Sequence, residues 1–213
     1  AIEEAVFAGV PVNVTLLFSR EQCVAAAEAH LRGTERRIDA GLNPHVESVA
    51  SIFISRWDVA VADKIPEALR NRLGIAIAGR AYRAYGEQLG SARWQRAYNA
   101  GARPQRLLWA STGTKDPEAP DLLYIRALAA PFTVNTIPEK TLLALANHSE
   151  IGPAIATDGG DCEAVLAEFA NAGIDVEALA AQLQEEGAKS FVESWHQLLA
   201  VLETKSNALK SAS

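Results

Sequence analysis

The residues best placed to do chemistry fall in three clusters: Asn13 with Thr15, Ser51 with Arg56, and Ser111 through Lys115. Asn13 and Thr15 stand two apart in Val-Asn-Val-Thr, so a strand there turns both side chains to one face. An amide within a buried strand must find partners, a cost tolerated where a ligand supplies them. Arg56 can hold a phosphate by a two-pronged contact, and the hydroxyls and amides of Ser111, Thr112 and Thr114 beside Lys115 could line an anion-binding concavity. Asn135 and Thr136 add a fourth polar pair. Hydroxyl-rich clusters with two cations suggest a phosphorylated, polyhydroxylated ligand, hence a sugar phosphate. Each has a plainer alternative: Arg56 and Asp58 could form a surface pair, and Ser111 to Lys115 an ordinary polar loop. His30, His45, His148 and His196 show no paired spacing and read as structural, so no metal site is expected.

These residues sit where strand-like runs end. With 213 residues, 49% of them hydrophobic, the chain can bury the core of one large domain or a piece of one. A helix over 1–8 is followed by a β-branched strand within 10–18, and Ser19 with Gln22 has capping-box spacing for a helix reaching about residue 40, weakened at Gly33. The second strand, 49–54, is apolar enough for both faces to be buried. Helical periodicity covers 60–63, 67–88 and 91–100; strands follow at 106–110 and 133–137, separated by a helix over 121–129 and succeeded by one ending near 147. After a loop at 152–160, three helical segments, 162–172, 176–186 and 190–204, are parted by Gly173 and Gly187. Phe191, Trp195, Leu198, Leu199 and Leu202 form a stripe expected to pack on the body.

Four strand–helix units imply a parallel sheet, either an open doubly wound one or a (β/α)8 barrel. No Gly-x-Gly-x-x-Gly follows a strand, which removes the main reason for a dinucleotide-binding fold. A full barrel takes about 250 residues, so four units are roughly half of one. We therefore expect a single domain over 1–213: βα units at 1–150, C-terminal helices at 151–205 and a frayed tail at 206–213. An uncapped first helix and the absence of methionine lead us to expect a further N-terminal part. Four open strands would leave an edge and an exposed interior, so folding alone is not expected. A net charge of −6 without a basic run argues against nucleic acid, and no apolar run suits a membrane span. With no signal peptide evident, a cytoplasmic protein is expected, with reduced Cys23 and Cys162 and unused sequons at Asn13 and Asn147. Oligomeric state is left open, a homo-oligomer included.

Five segments carry a resemblance in the same order. Val-Asn-Val-Thr-Leu-Leu-Phe-Ser at 12–19, Ser-Ile-Phe-Ile-Ser-Arg at 51–56, Trp-Ala-Ser-Thr at 109–112 with Lys115 after it, Val-Asn-Thr-Ile-Pro-Glu at 134–139 and Gly-Ala-Lys-Ser-Phe at 187–191 together resemble transaldolases of the longer bacterial branch. That resemblance implies a (β/α)8 TIM barrel of the class I aldolase type, without metal or cofactor. It implies transfer of a dihydroxyacetone unit from sedoheptulose 7-phosphate to glyceraldehyde 3-phosphate through a lysine Schiff base. It assigns Asn13 to the substrate hydroxyls, Thr15 to positioning catalytic groups, Ser51 to the dihydroxyacetone moiety, and Arg56 and Ser111 to the phosphate. Some relatives carry a second arginine where this chain has Thr112 and Gly113; Lys115 is the expected substitute. The family's Schiff-base lysine belongs one strand upstream and is absent from this chain, as are the acidic proton-transfer residues. Lys115, in a polar loop beside Asp116, lacks the desolvated or cationic surroundings such a lysine needs. Competing readings are another Schiff-base aldolase, a transaldolase–isomerase fusion and a non-catalytic sugar-phosphate-binding half-barrel.

Overall fold

The first strand-to-helix turn forms as its residues require: Ser19 Oγ accepts from the Gln22 amide at 3.1 Å while the Gln22 side chain accepts from the Ser19 amide at 3.2 Å. The computed structural model describes residues 1–147 and 150–211. In chain order these form α1 (Ile2–Phe7), β1 (Val12–Leu17), α2 (Arg20–Asp39), β2 (Ser48–Phe53), α3 (Ser55–Val61), α4 (Leu73–Gly90), α5 (Ala92–Asn99), β3 (Arg106–Ala110), α6 (Leu123–Ala127), β4 (Thr133–Asn135), α7 (Glu139–Asn147), α8 (Cys162–Asn171) and α9 (Val176–Ser211). The strands make one parallel sheet in the order β1-β2-β3-β4. This sequential order has no reversal, whereas a doubly wound sheet needs one at its switch point. The sheet is therefore an α/β arrangement compatible with part of a barrel.

One face of the sheet carries Ala50, Ile52, Leu107 and Trp109 into the main core. Small residues of α2 and α4, among them Ala27, Ala81 and Ala84, lie close against Ala50 and Leu107. Gly33 does not weaken α2. A Cβ there would come within 2.7 Å of the Glu3 carbonyl oxygen, so the missing side chain lets α1 cross α2 closely. Cys23 and Cys162 are buried free thiols, and burial pushes the Cys23 thiol up to about 12. Buried His30 donates from Nε2 to the Arg103 carbonyl, and His45 lies 2.9 Å from the Glu47 carboxylate. His148, and with it the second sequon, falls outside the described residues. Among those residues no helix is long and apolar enough to cross a membrane.

Several expectations need correction. The helix expected from residue 67 starts only at Leu73, because Asn71 adopts a φ of +60°, outside the helical region, and residues 67–69 form a 3-10 turn. Arg56, Trp57 and Asp58 belong to the first turn of α3 rather than preceding a helix. β4 stops at Asn135, where Thr136 turns both its amide and its hydroxyl onto the Trp109 carbonyl. Gly187 does not divide the last helix, and residues 206–211 continue α9 instead of fraying. Residues 212–213 lie outside the described set. The apolar stripe does not pack on the body: Phe191, Trp195, Leu198, Leu199 and Leu202 are all exposed.

Candidate active site

Asn13 and Thr15 share one face of β1, as their spacing requires, and both are exposed. The reading of Asn13 as a buried amide is thus corrected: that face is open along β1, although Ser51, Phe53 and Leu108 on the neighbouring strands are buried. Parallel pairing sets Asn13 beside Val49, which brings Ser51 two positions further along the same face of β2. Buried Ser51 donates its hydroxyl to Asn13 Oδ1 at 2.6 Å. With the amide oxygen engaged, the Asn13 Nδ2 group has no partner among the described residues and points its donors at whatever occupies the open face. Thr15 likewise spends its hydroxyl on no described residue. Sugar hydroxyls are suitable acceptors and donors for this pair.

The second cluster forms where β2 runs into α3. Ile54 and Ser55 continue the ladder past the strand, their amides donating to the Ala110 and Ser111 carbonyls at 3.0 Å. Ser55 and Ser111 then share a hydroxyl–hydroxyl bond of 2.9 Å. Ser111 holds a φ of +56° and Leu16, at the end of β1, one of +58°. Two strained non-glycine residues at strand ends are the kind of cost that binding sites carry.

Arg56 follows directly and lies over the Phe53 ring, 5.0 Å from its centroid. It has no acid within salt-bridge distance among the described residues, so the surface pair with Asp58 does not exist. Asp58 turns inward instead, accepting from the amides of Leu73 and Gly74 at 2.9 and 3.3 Å and from the Tyr124 hydroxyl at 2.8 Å. Burial raises its carboxyl to about 6, against the opposing pull of the Tyr124 and backbone hydrogen bonds.

α9 crosses above these strand ends. Gln184 donates to the Leu16 carbonyl at 3.0 Å, and a Cβ on Gly187 would lie 2.9 Å from Leu16 Cδ2 and 3.3 Å from Arg56 Nη1. The glycine that looked like a helix break is where the helix meets Arg56.

The third cluster disperses. Ser111 pairs with Ser55, Thr112 donates to Asn135 Oδ1 at 2.7 Å, and Thr114 donates to the Pro120 carbonyl at 3.1 Å, so the expected concavity of free hydroxyls does not form. Asn135 and Thr136 stitch β3 to β4. Exposed Lys115 lines a separate cleft of about 410 Å³ with Asp58, Arg70, Asn71 and Asp116. Asp116 accepts from Asn71 at 2.7 Å rather than pairing with it. Sequence reading overlooked Ser55, although its place just beyond a strand end was a signal, and the approach of Gln184 and Gly187, for which local pattern carried none.

The assembled group offers amide donors, hydroxyls and one cation, and no lysine or carboxylate to react. It can hold a polyhydroxylated anion. Over residues 1–202 the chain matches the family model described as Transaldolase/Fructose-6-phosphate aldolase. It is 42% identical to a transaldolase of Neisseria meningitidis serogroup A over 95% of its own length and 58% of that protein. Transaldolases of Parafrankia sp. and Thermobifida fusca are 41% and 43% identical, over 93% of this chain and 56% of each relative. The chain thus spans less than two thirds of the curated relatives it matches. A family match over nearly the whole chain, on a parallel sheet with polar residues on and just after its strands, places it in the transaldolase/fructose-6-phosphate aldolase family.

Proposed function

We propose that this chain supplies the substrate-holding part of a cytoplasmic transaldolase. On this reading it contributes, as one domain, about the last four βα units of a (β/α)8 barrel and its C-terminal helices. The remaining units carry the Schiff-base lysine and the acids that move protons. The observation that carries the reading is the Ser51–Asn13 bond of 2.6 Å, which leaves the Asn13 donors free on the face that Ser51 shares, while Arg56, without an acid partner among the described residues, follows the end of β2. Ser51 and Asn13 hold the dihydroxyacetone hydroxyls, Thr15 positions the reacting carbon, and Arg56 binds the phosphate with Ser111 at its edge. Lys115, exposed in another cleft, has at most a peripheral phosphate role and is not the nucleophile.

The test uses the protein as its gene encodes it. Arg56→Ala is expected to raise KM for phosphorylated sugars about tenfold or more, the worth of a charge-assisted contact, with a smaller change in kcat. Unchanged sugar-phosphate kinetics in that variant would remove the phosphate role. Asn13→Ala is expected to lower kcat by roughly 100-fold, the scale of losing one preorganised donor. Borohydride trapping with fructose 6-phosphate should label no lysine within this chain, and a labelled Lys115 overturns this division of roles.

A further inference from the structure

The N-terminal end of the sheet, opposite the end where Arg56 follows β2, holds a second cleft, of about 490 Å³. Its walls come from the N-terminal ends of three strands and from α5. Glu47 immediately precedes β2, Arg103 and Arg106 flank the start of β3, Phe132 immediately precedes β4, and Trp94 and Tyr98 project from α5. The volume falls within the range of small-molecule sites, about 300–1,000 Å³.

Three features of this lining are left without partners among the described residues. Phe132 is 67% exposed and also holds a φ of +58°, so a large apolar ring is kept in water on a strained backbone. Tyr98 is half exposed beside it. Arg103 and Arg106 have no acid within salt-bridge distance among the described residues, since Glu47 is engaged by His45 at 2.9 Å. Both arginines nevertheless lie near enough to help hold the Glu47 carboxyl below its ordinary range, after the larger effect of His45.

A purely apolar occupant would bury two guanidinium groups without partners, at a cost that excludes it. Inorganic phosphate would satisfy the arginines and leave both exposed rings in water. We propose that this cleft binds a planar aromatic ligand that carries a phosphate and is the size of a purine mononucleotide. Its ring packs against Tyr98 and Phe132, its phosphate bridges Arg103 and Arg106, and Glu47 accepts from an amine or hydroxyl at the rim.

Calorimetric titration of the protein as its gene encodes it, with adenosine 5′-monophosphate, adenosine and inorganic phosphate in turn, tests this. The monophosphate should bind with a dissociation constant tighter than about 1 mM, and each of the other two at least about tenfold more weakly. Arg106→Ala should weaken monophosphate binding about tenfold. It should leave sugar-phosphate turnover unchanged. Phe132→Gly relieves the backbone strain, so it should keep or raise the melting temperature while weakening the monophosphate, a combination a purely structural phenylalanine would not give. Arg56→Ala should leave monophosphate affinity intact. The proposal fails if phosphate binds as well as the monophosphate, if Arg106→Ala retains full affinity, or if Arg56→Ala abolishes binding and so moves the site to the other end of the sheet.

Discussion

The two faces of the sheet are built from the same strands and meet opposite demands. Ala50, Ile52, Leu107 and Trp109 on one face are at most 2% exposed, whereas on the other face Asn13 and Thr15 stand in the open beside buried Ser51, Phe53 and Leu108. The packed face is where stability is concentrated, because each of its side chains is surrounded by atoms of α2, α4 or neighbouring core residues. The open face carries polar groups whose hydrogen-bonding capacity is only partly used. Alternation along β1 makes this division: Asn13 and Thr15 are exposed, while Val14 and Leu16 between and beyond them pack toward the core.

Substitutions on the two faces should therefore separate stability from substrate handling. Trp109→Ala, on the packed face, is expected to cost about 3–5 kcal/mol in denaturant unfolding, as removal of a large buried ring generally does. A loss below about 1 kcal/mol would mean that this face is not the stabilising one.

Asp58 and Arg56 sharpen the contrast at a separation of two residues, since one turns into the helical layer and the other stays at the open end. The folded protein keeps a proton on Asp58 up to about pH 6, while its ordinary value is 3.8. Stability from the protonated form is therefore complete below about pH 4 and lost as pH rises through 6, on the order of 3 kcal/mol in all. Urea midpoints taken at pH 4.5 and pH 7 should show the fall. Asp58→Asn keeps an acceptor for the Leu73 and Gly74 amides without a titrating group, and its midpoints should differ less between the two pH values. An equal fall in that variant assigns the pH dependence to other groups.

The smallest expected effect lies on the open face. Asn13→Ala leaves the Ser51 hydroxyl without its acceptor and should cost only about 1 kcal/mol of stability. Its loss of turnover should be far larger. A stability cost matching that of Trp109→Ala would erase the distinction between the faces.

Much of this arrangement is legible in local pattern. The capping box at Ser19 and Gln22, the strand at Arg106–Ala110 and the shared face of Asn13 and Thr15 all depend on residues within a few positions of one another, where propensity and periodicity act directly. The candidate site was legible as far as polar residue types on and just after the strands, which is why Asn13, Ser51 and Arg56 stood out before any pairing was known.

What tertiary structure alone decided is which polar groups are spent and which are free. Asp58 looked like a partner for Arg56 until the start of α4, fifteen residues away in sequence, supplied amides for it. The hydroxyls of Ser111, Thr112 and Thr114 looked like one cluster until Ser55, Asn135 and Pro120 each took one. Gly187 looked like a break, yet α9 is continuous there and uses the missing side chain to approach Leu16 and Arg56. The amino-acid sequence by itself determined the elements, the parallel strand–helix rhythm and the chemistry available at the strand ends. Only the packed chain assigned partners, because a hydrogen bond or a close approach depends on atoms brought together from distant parts of the sequence, to which local propensity is blind.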